Sequence, residues 1–191
     1  MDDASDKGGR ILFLNGASSS GKSTLAKKLQ TMLDEPYWHY SIDHLLGAEI
    51  VPRMKERGGN FEWKAMRANF FEGFHRSIPA FARANNNIIV EHIIEEELWL
   101  DRLLLLLKDF KVLFVGLNCP VEELIRREAE RGDRQPGSAE NDSKIVHRHC
   151  CYDVELESTA DVEINALRVI EVLEKPMSPT AMARMIRARH L

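Results

Sequence analysis

The chain has 191 residues, 44% hydrophobic and 29% charged, with a formal net charge of −4. That length suits one domain with a sizeable core, and the acidic balance excludes a surface built to coat nucleic acid, so any anion must be bound at a local site. Three cysteines, Cys119, Cys150 and Cys151, do not make a disulfide framework and fit a reducing cytoplasm.

The first ten residues, MDDASDKGGR, lack the apolar stretch of a secretory leader. Residues 1–9 therefore read as a flexible arm. Arg10 to Asn15 is a short apolar run that stops at a Gly/Ser loop, the pattern of a buried strand. Lys22 to Leu33 has helical spacing, with Leu25, Leu29, Met32 and Leu33 on one face, and Pro36 ends it. A second strand is expected over Trp38 to Ile42. A long, mostly helical stretch follows from Asp43 to Ala84, broken near Gly58-Gly59. Asn86-Asn87 marks a turn before a third strand, Ile88 to His92.

The segment Glu95 to Lys108 contains five consecutive leucines, Leu103 to Leu107, and reads as a buried helix. It falls short of the roughly 20 apolar residues that span a bilayer, so no membrane partner is expected. Lys111 to Leu117 is apolar on both alternating faces, as a central parallel strand requires. Val121 to Arg131 is an amphipathic helix, Arg131 to Asp142 a mobile loop, Lys144 to Cys151 a helix and Val154 to Glu157 a fifth strand. Val162 to Leu173 is the last core helix. Beyond Pro176, Ser178 and Pro179 can open a basic C-terminal helix carrying Arg184, Arg187 and Arg189, which reads as solvated. Strands alternating with helices predict an α/β three-layer sandwich: a five-stranded parallel sheet with helices on both faces.

The loop Gly16-Ala17-Ser18-Ser19-Ser20-Gly21-Lys22-Ser23 fits G-x-x-x-x-G-K-[ST] at every fixed position and sits between a strand and a helix. The glycines let the backbone approach phosphate closely. Successive N–H groups and the helix dipole attract the anion. Lys22 is placed to reach the β- and γ-phosphates, and the Ser23 hydroxyl to ligate Mg2+. Residues 16–24, Thr24 included, are thus the expected ATP site. ATP and Mg2+ are the expected cofactors. The loop alone leaves transfer to water, to a protein and to a small molecule open.

A kinase also needs a group that orients or deprotonates the attacking hydroxyl. Asp43 stands where strand two stops, at the carboxyl edge of the sheet where open α/β folds bind ligands. It is either that base or a helix cap. Glu91 ends strand three and is the second candidate for Mg2+, beside Ser23. His92 is either a substrate contact or a structural histidine. Phe61, Trp63, Phe70, Phe71 and Phe74 suit the wall of a ring-bearing pocket and equally suit a core. Arg127, Arg131 and Arg134 recur at i, i+4 and i+7. Glu123 with Arg127 and Glu130 with Arg134 have the spacing of ordinary helix pairs, but Arg131 and Arg134 flank the Gly132-Asp133 break and are the expected arginines of a lid over residues 126–143, with Arg134 also stabilising charge in transfer. His147, His149, Cys150 and Cys151 are compact, but lack the second ligand pair of a zinc site.

The stretches ILFLNGASSSGKST, DEPYWHYSIDHLL, VLFVGLNC, EAERGDR and VHRHCCYDVELEST occur in that order over residues 10–160. Together they resemble the chloramphenicol phosphotransferase family. The resemblance implies a kinase domain over residues 1–175, with the basic helix of residues 176–191 as an addition. It implies ATP as donor, a hydroxyl of a small antibiotic as acceptor, Asp43 as general base, and Arg131 and Arg134 in the lid. His147, Tyr152 and Asp153 also match. The chain departs from the family at Glu91-His92, where paired aspartates are expected, and over Gly47 to Arg83, the acceptor-recognising region. The alternative is a toxin-like or regulatory kinase or NTPase acting on a sugar nucleotide, a nucleotide or a protein. Homo-oligomerisation is left open.

Overall fold

The computed structural model describes residues 8–48, 50–52, 54–55, 58–131, 137–175 and 178–191. Five strands form one sheet: β1 (Ile11–Asn15), β2 (Tyr37–Ser41), β3 (Asn87–His92), β4 (Val112–Asn118) and β5 (Val154–Glu157). Their order is β2-β3-β1-β4-β5 and every pairing is parallel. Parallel neighbours need crossovers, and the helices between strands supply them. These are α1 (Lys22–Met32), α2 (Ile42–Gly47), α3 (Trp63–Arg83), α4 (Glu97–Leu107), α5 (Val121–Arg131), α6 (Ser138–Ser143), α7 (Val162–Glu174) and α8 (Ala181–Arg189).

β1 is bonded on both sides, and its alternating residues feed two cores. Ile11 and Phe13 point into a layer with Phe74, Ile78, Leu100, Leu103, Leu104 and Phe114. Leu12 and Leu14 point into the other, with Leu25, Leu29, Ile89, Val115 and Val169. All four β1 side chains are fully buried, each worth roughly 1.5–3 kcal/mol of transfer free energy.

Three local expectations change. Residues 138–143, inside the segment read as a loop, form α6. Its N-terminus is held by Glu128 of α5, whose carboxylate accepts from Gly137 N (2.7 Å), Ser138 Oγ (2.6 Å) and Ala139 N (2.8 Å). Conversely, residues 144–149, read as helical, are turns. The Val146 carbonyl accepts from Asn15 Nδ2 at 2.9 Å, and the Arg148 and Cys150 amides reach only three residues back. A buried tertiary bond has overridden helical propensity.

The third change is α8. Thr180, rather than Ser178, caps it by accepting from Ala183 N. It is also not solvated: Ala181, Met182 and Met185 are buried in the first core. Asp153 fastens it there, accepting from Phe114 N of β4 (2.9 Å) and Ala181 N (2.6 Å). Arg189 reaches Glu97 and Asp101 of α4, each at 2.8 Å.

Two stability predictions follow from this packing. A Cβ at Gly116 would stand 2.6 Å from the Tyr152 ring, so Gly116→Ala is expected to cost about 1–3 kcal/mol, read as a lower denaturant midpoint. His75 is buried in the first core's aromatic cluster, and its pKa is lowered from 6.5 to about 4 by desolvation. Between those values the unfolded imidazole holds a proton that the folded one does not. Stability is therefore expected to fall as pH drops from 6.5 towards 4, with at most about 1.4 kcal/mol lost per pH unit for one such group. Denaturant titrations at several pH values, repeated on His75→Phe, should show that slope flattening.

Candidate active site

The loop between β1 and α1 is as the motif requires. Gly21 sits at φ 91 and opens α1, a conformation glycine adopts without strain. At Gly16 a Cβ would meet the Leu117 carbonyl at 2.8 Å. Lys22 is buried, and its ammonium donates to the Gly16 and Ala17 carbonyls at 2.8 and 2.7 Å. Those bonds hold a desolvated cation over the loop. Ser19 Oγ and Ser20 Oγ are buried without a hydrogen-bond partner among the described residues. Ser18 N donates to Asp142 Oδ2 of α6 at 3.0 Å, tying α6 to the loop.

β3 lies beside β1, in register from Ile11–Ile88 to Asn15–His92, and so delivers Glu91 to the same edge. Glu91 Oε1 accepts from Ser23 Oγ at 2.8 Å, and Glu91 Oε2 lies 2.8 Å from His39 Nε2 on β2. Burial pushes the Glu91 pKa up, but the His39 bond, the Lys22 charge and the Ser23 bond outweigh it, and the carboxyl titrates below its ordinary range. A buried anionic carboxylate beside a serine hydroxyl is an oxygen donor set that fits a hard divalent cation such as Mg2+.

Asp43 is the second residue of α2, two residues past the end of β2 rather than at the strand end where the sequence puts it. It is not the helix cap, because Ser41 fills that position and accepts from His44 N at 3.2 Å. Asp43 lines a cleft of about 640 Å3 that runs past the phosphate loop. Of the aromatics weighed above, Trp63 and Phe71 line this cleft, Phe74 is core, Phe61 is exposed and Phe70 packs on Trp63. Arg67, His92, Ile93 and Glu95 complete that wall.

The other end of the cleft is lined by Arg127, Arg131, Ser158, Ala160, Val162 and Asn165. Arg134 lies outside the described residues. Arg127, read from sequence only as half of a helix pair, does bond Glu123 at 2.6 Å. It also reaches Ser158 O at 3.3 Å and Ser19 O at 3.5 Å, which places it against the phosphate loop. Its signal lay in its spacing, one turn before Arg131 on the same face. Asn15 was missed altogether. Its Nδ2 donates to Val146 O and Tyr152 OH, and its Oδ1 accepts from Ile94 N at 3.0 Å, so it pins the backbone after β3 and the segment before β5 to the end of β1. The His147, Cys150 and Tyr152 group is part of this structural cluster: His147 Nδ1 bonds Tyr152 OH at 2.6 Å. Burial pushes the Cys150 thiol up to about 11, a protonated group rather than a metal-binding thiolate.

Comparison with known proteins agrees with this geometry. "Putative O-phosphotransferase Rv2636" of Mycobacterium tuberculosis is 32% identical over 171 residues, covering 80% of this chain and 76% of that protein. Among solved structures, the fold resembles the M. tuberculosis APS kinase CysC in complex with AMPPNP and APS, with a TM-score of 0.66 at 20% identity, covering 87% of this chain and 98% of that one. Shikimate kinase from Aquifex aeolicus gives a TM-score of 0.55 at 19% identity, covering 86% and 96%. The fold is that of the P-loop kinases. The family described as chloramphenicol phosphotransferase-like protein matches residues 9–174. With a phosphate loop, a buried strand-end acid and that match over most of its length, the chain belongs to the chloramphenicol phosphotransferase-like family.

Proposed function

We propose that this protein is an ATP-dependent kinase that moves the γ-phosphate to a hydroxyl of a small molecule. The observation that carries the reading is one cleft lined by Lys22, Ser23, Glu91 and Asp43 together. A phosphate cradle with a carboxylate facing it can hold both reactants of a transfer. The acceptor oxygen forms a bond to the γ-phosphorus as the bond to the β–γ bridging oxygen breaks, and ADP leaves. Asp43 takes the proton of the acceptor hydroxyl. Lys22 and the loop amides stabilise charge on the phosphates, and Arg131 approaches from the end of α5. Ser23 and Glu91 would hold Mg2+, which when bound neutralises phosphate charge.

Adenine as the donor base is supported by Asn165. Its Nδ2 donates to Glu157 O at 2.8 Å, so the remaining amide atom must be the oxygen. That Oδ1 is buried without a hydrogen-bond partner among the described residues, and Asn165 lines the cleft beyond the phosphate loop. An acceptor of this kind complements the exocyclic amine of adenine and opposes the carbonyl that guanine has there. An antibiotic hydroxyl is one acceptor class, but the α3 wall falls within Gly47 to Arg83, where the sequence departs from the family it resembles.

Acceptor-stimulated ADP release tests the proposal. ATP with Mg2+ should turn over slowly alone and faster when a hydroxyl compound is added from a panel of chloramphenicol, aminoglycosides and nucleosides. Asp43→Asn should lower the stimulated rate by roughly 100- to 10,000-fold while ATP affinity holds. Lys22→Ala should weaken ATP use with every acceptor. Equal transfer by wild type and Asp43→Asn would remove Asp43 from the chemistry. ATP should be preferred to GTP by about tenfold or more, one well-made polar contact's worth, and Asn165→Leu should erase that preference.

A further inference from the structure

His92 directly follows Glu91 on β3, so strand alternation turns it to the opposite face. It is 2% exposed and enclosed by rings. Its imidazole stacks on Trp99 (centroids 5.6 Å, interplanar 15°) and lies against Phe74 at 5.3 Å and Phe71 at 5.8 Å. His92 Nε2 lies 2.9 Å from His75 Nε2. A contact that short needs one nitrogen to donate and the other to accept, so at least one imidazole is neutral.

The second ring nitrogen of His92 is the informative atom. Nδ1 is buried without a hydrogen-bond partner among the described residues, in a residue that lines the cleft beside Trp63, Phe71 and Ile93. An unsatisfied buried nitrogen costs free energy that a bound molecule can restore. The nearby cation is already committed. Arg67 donates to Glu95 at 2.7 Å, lies 3.6 Å from Glu96, and spreads over the Phe71 and Trp99 rings at 4.7 and 4.8 Å. Burial raises the Glu95 pKa, against the lowering charge of Arg67. A carboxylate or phosphate entering here would have to displace Glu95 from Arg67, with Asp43 on the same cleft.

We infer that His92 is an acceptor-contacting residue, its Nδ1 hydrogen-bonding the molecule that receives the phosphate, and that this end of the cleft disfavours an anionic acceptor. The inference rests on the kinase reading for the word acceptor, but the binding it predicts can be measured without transfer. His75 acts through His92 as a positioning residue, since its proton arrangement decides whether Nδ1 donates or accepts.

A matched pair of ring-bearing primary alcohols tests the inference: 4-nitrobenzyl alcohol and 4-(hydroxymethyl)benzoate. Binding is followed by ligand-observed NMR with the full chain and the ATP analogue AMPPNP, and ADP release is followed in parallel with ATP. The neutral member should bind about tenfold or more tightly than the benzoate, as expected where a carboxylate meets a site whose cation is already paired. His92→Phe, which keeps a ring but loses Nδ1, should weaken the neutral member by about tenfold, and His92→Asn should restore part of that loss. Thermal melts of both variants report on folding. Equal or tighter binding of the benzoate overturns the inference, as does an unchanged affinity in His92→Phe or no binding by either member. Tight binding of the neutral alcohol without ADP release upholds the pocket and overturns the kinase reading.

Discussion

The side chain of Asn15 is the point from which the site hangs. β1 is the central strand, bonded on both sides, and Asn15 is its last residue. One amide group there bonds the backbone just after β3 and the segment that leads into β5. These connections are far apart in sequence and carry no regular structure of their own at the point of attachment. Without a fixed post beside the phosphate loop, the walls of the cleft would have no common reference. A buried amide whose donors and acceptor are all engaged supplies that rigidity, because releasing any one partner leaves a polar group unsatisfied.

The charge arrangement depends on the same edge. Lys22 and Glu91 are both buried, and each makes the other tolerable in a region of reduced dielectric. The Ser23 hydroxyl joins α1 to the Glu91 carboxylate of β3. Across the cleft the charges are largely spoken for: Arg67 by two glutamates, Arg127 by Glu123 and backbone carbonyls.

Much of the fold was legible because its signals are local. The apolar run of β1, the two-sided apolarity of β4 and the leucine face of α4 are periodicities that a parallel sandwich imposes on sequence. The phosphate loop was legible for a stronger reason: few backbone paths allow that approach to phosphate, and glycine and lysine are required at set places. What escaped was set by distant partners. Residues 144–149 carry no turn signal, yet Asn15 draws the Val146 carbonyl away from helix geometry. Arg127 has the spacing of a surface pair and only the docking of α5 brings it to Ser19 and Ser158. The basic character of α8 suggested solvent, but Ala181, Met182 and Met185 form the face that matters. Nothing in the order of residues announces that His75 meets His92, seventeen positions later and on another element.

The close fit of Tyr152 over Gly116 gives the protein an unexpected sensitivity. The ring occupies the space a side chain would take on β4, while its hydroxyl bonds Asn15 and His147. Positions 116 and 152 thus share one volume and cannot vary independently: a larger residue at one demands a smaller one at the other. Because the same ring holds the end of β1, that trade is transmitted to the loop that begins at Gly16. Substitutions that refill this volume would act as remote tuning of the phosphate cradle, reached through the back of the sheet.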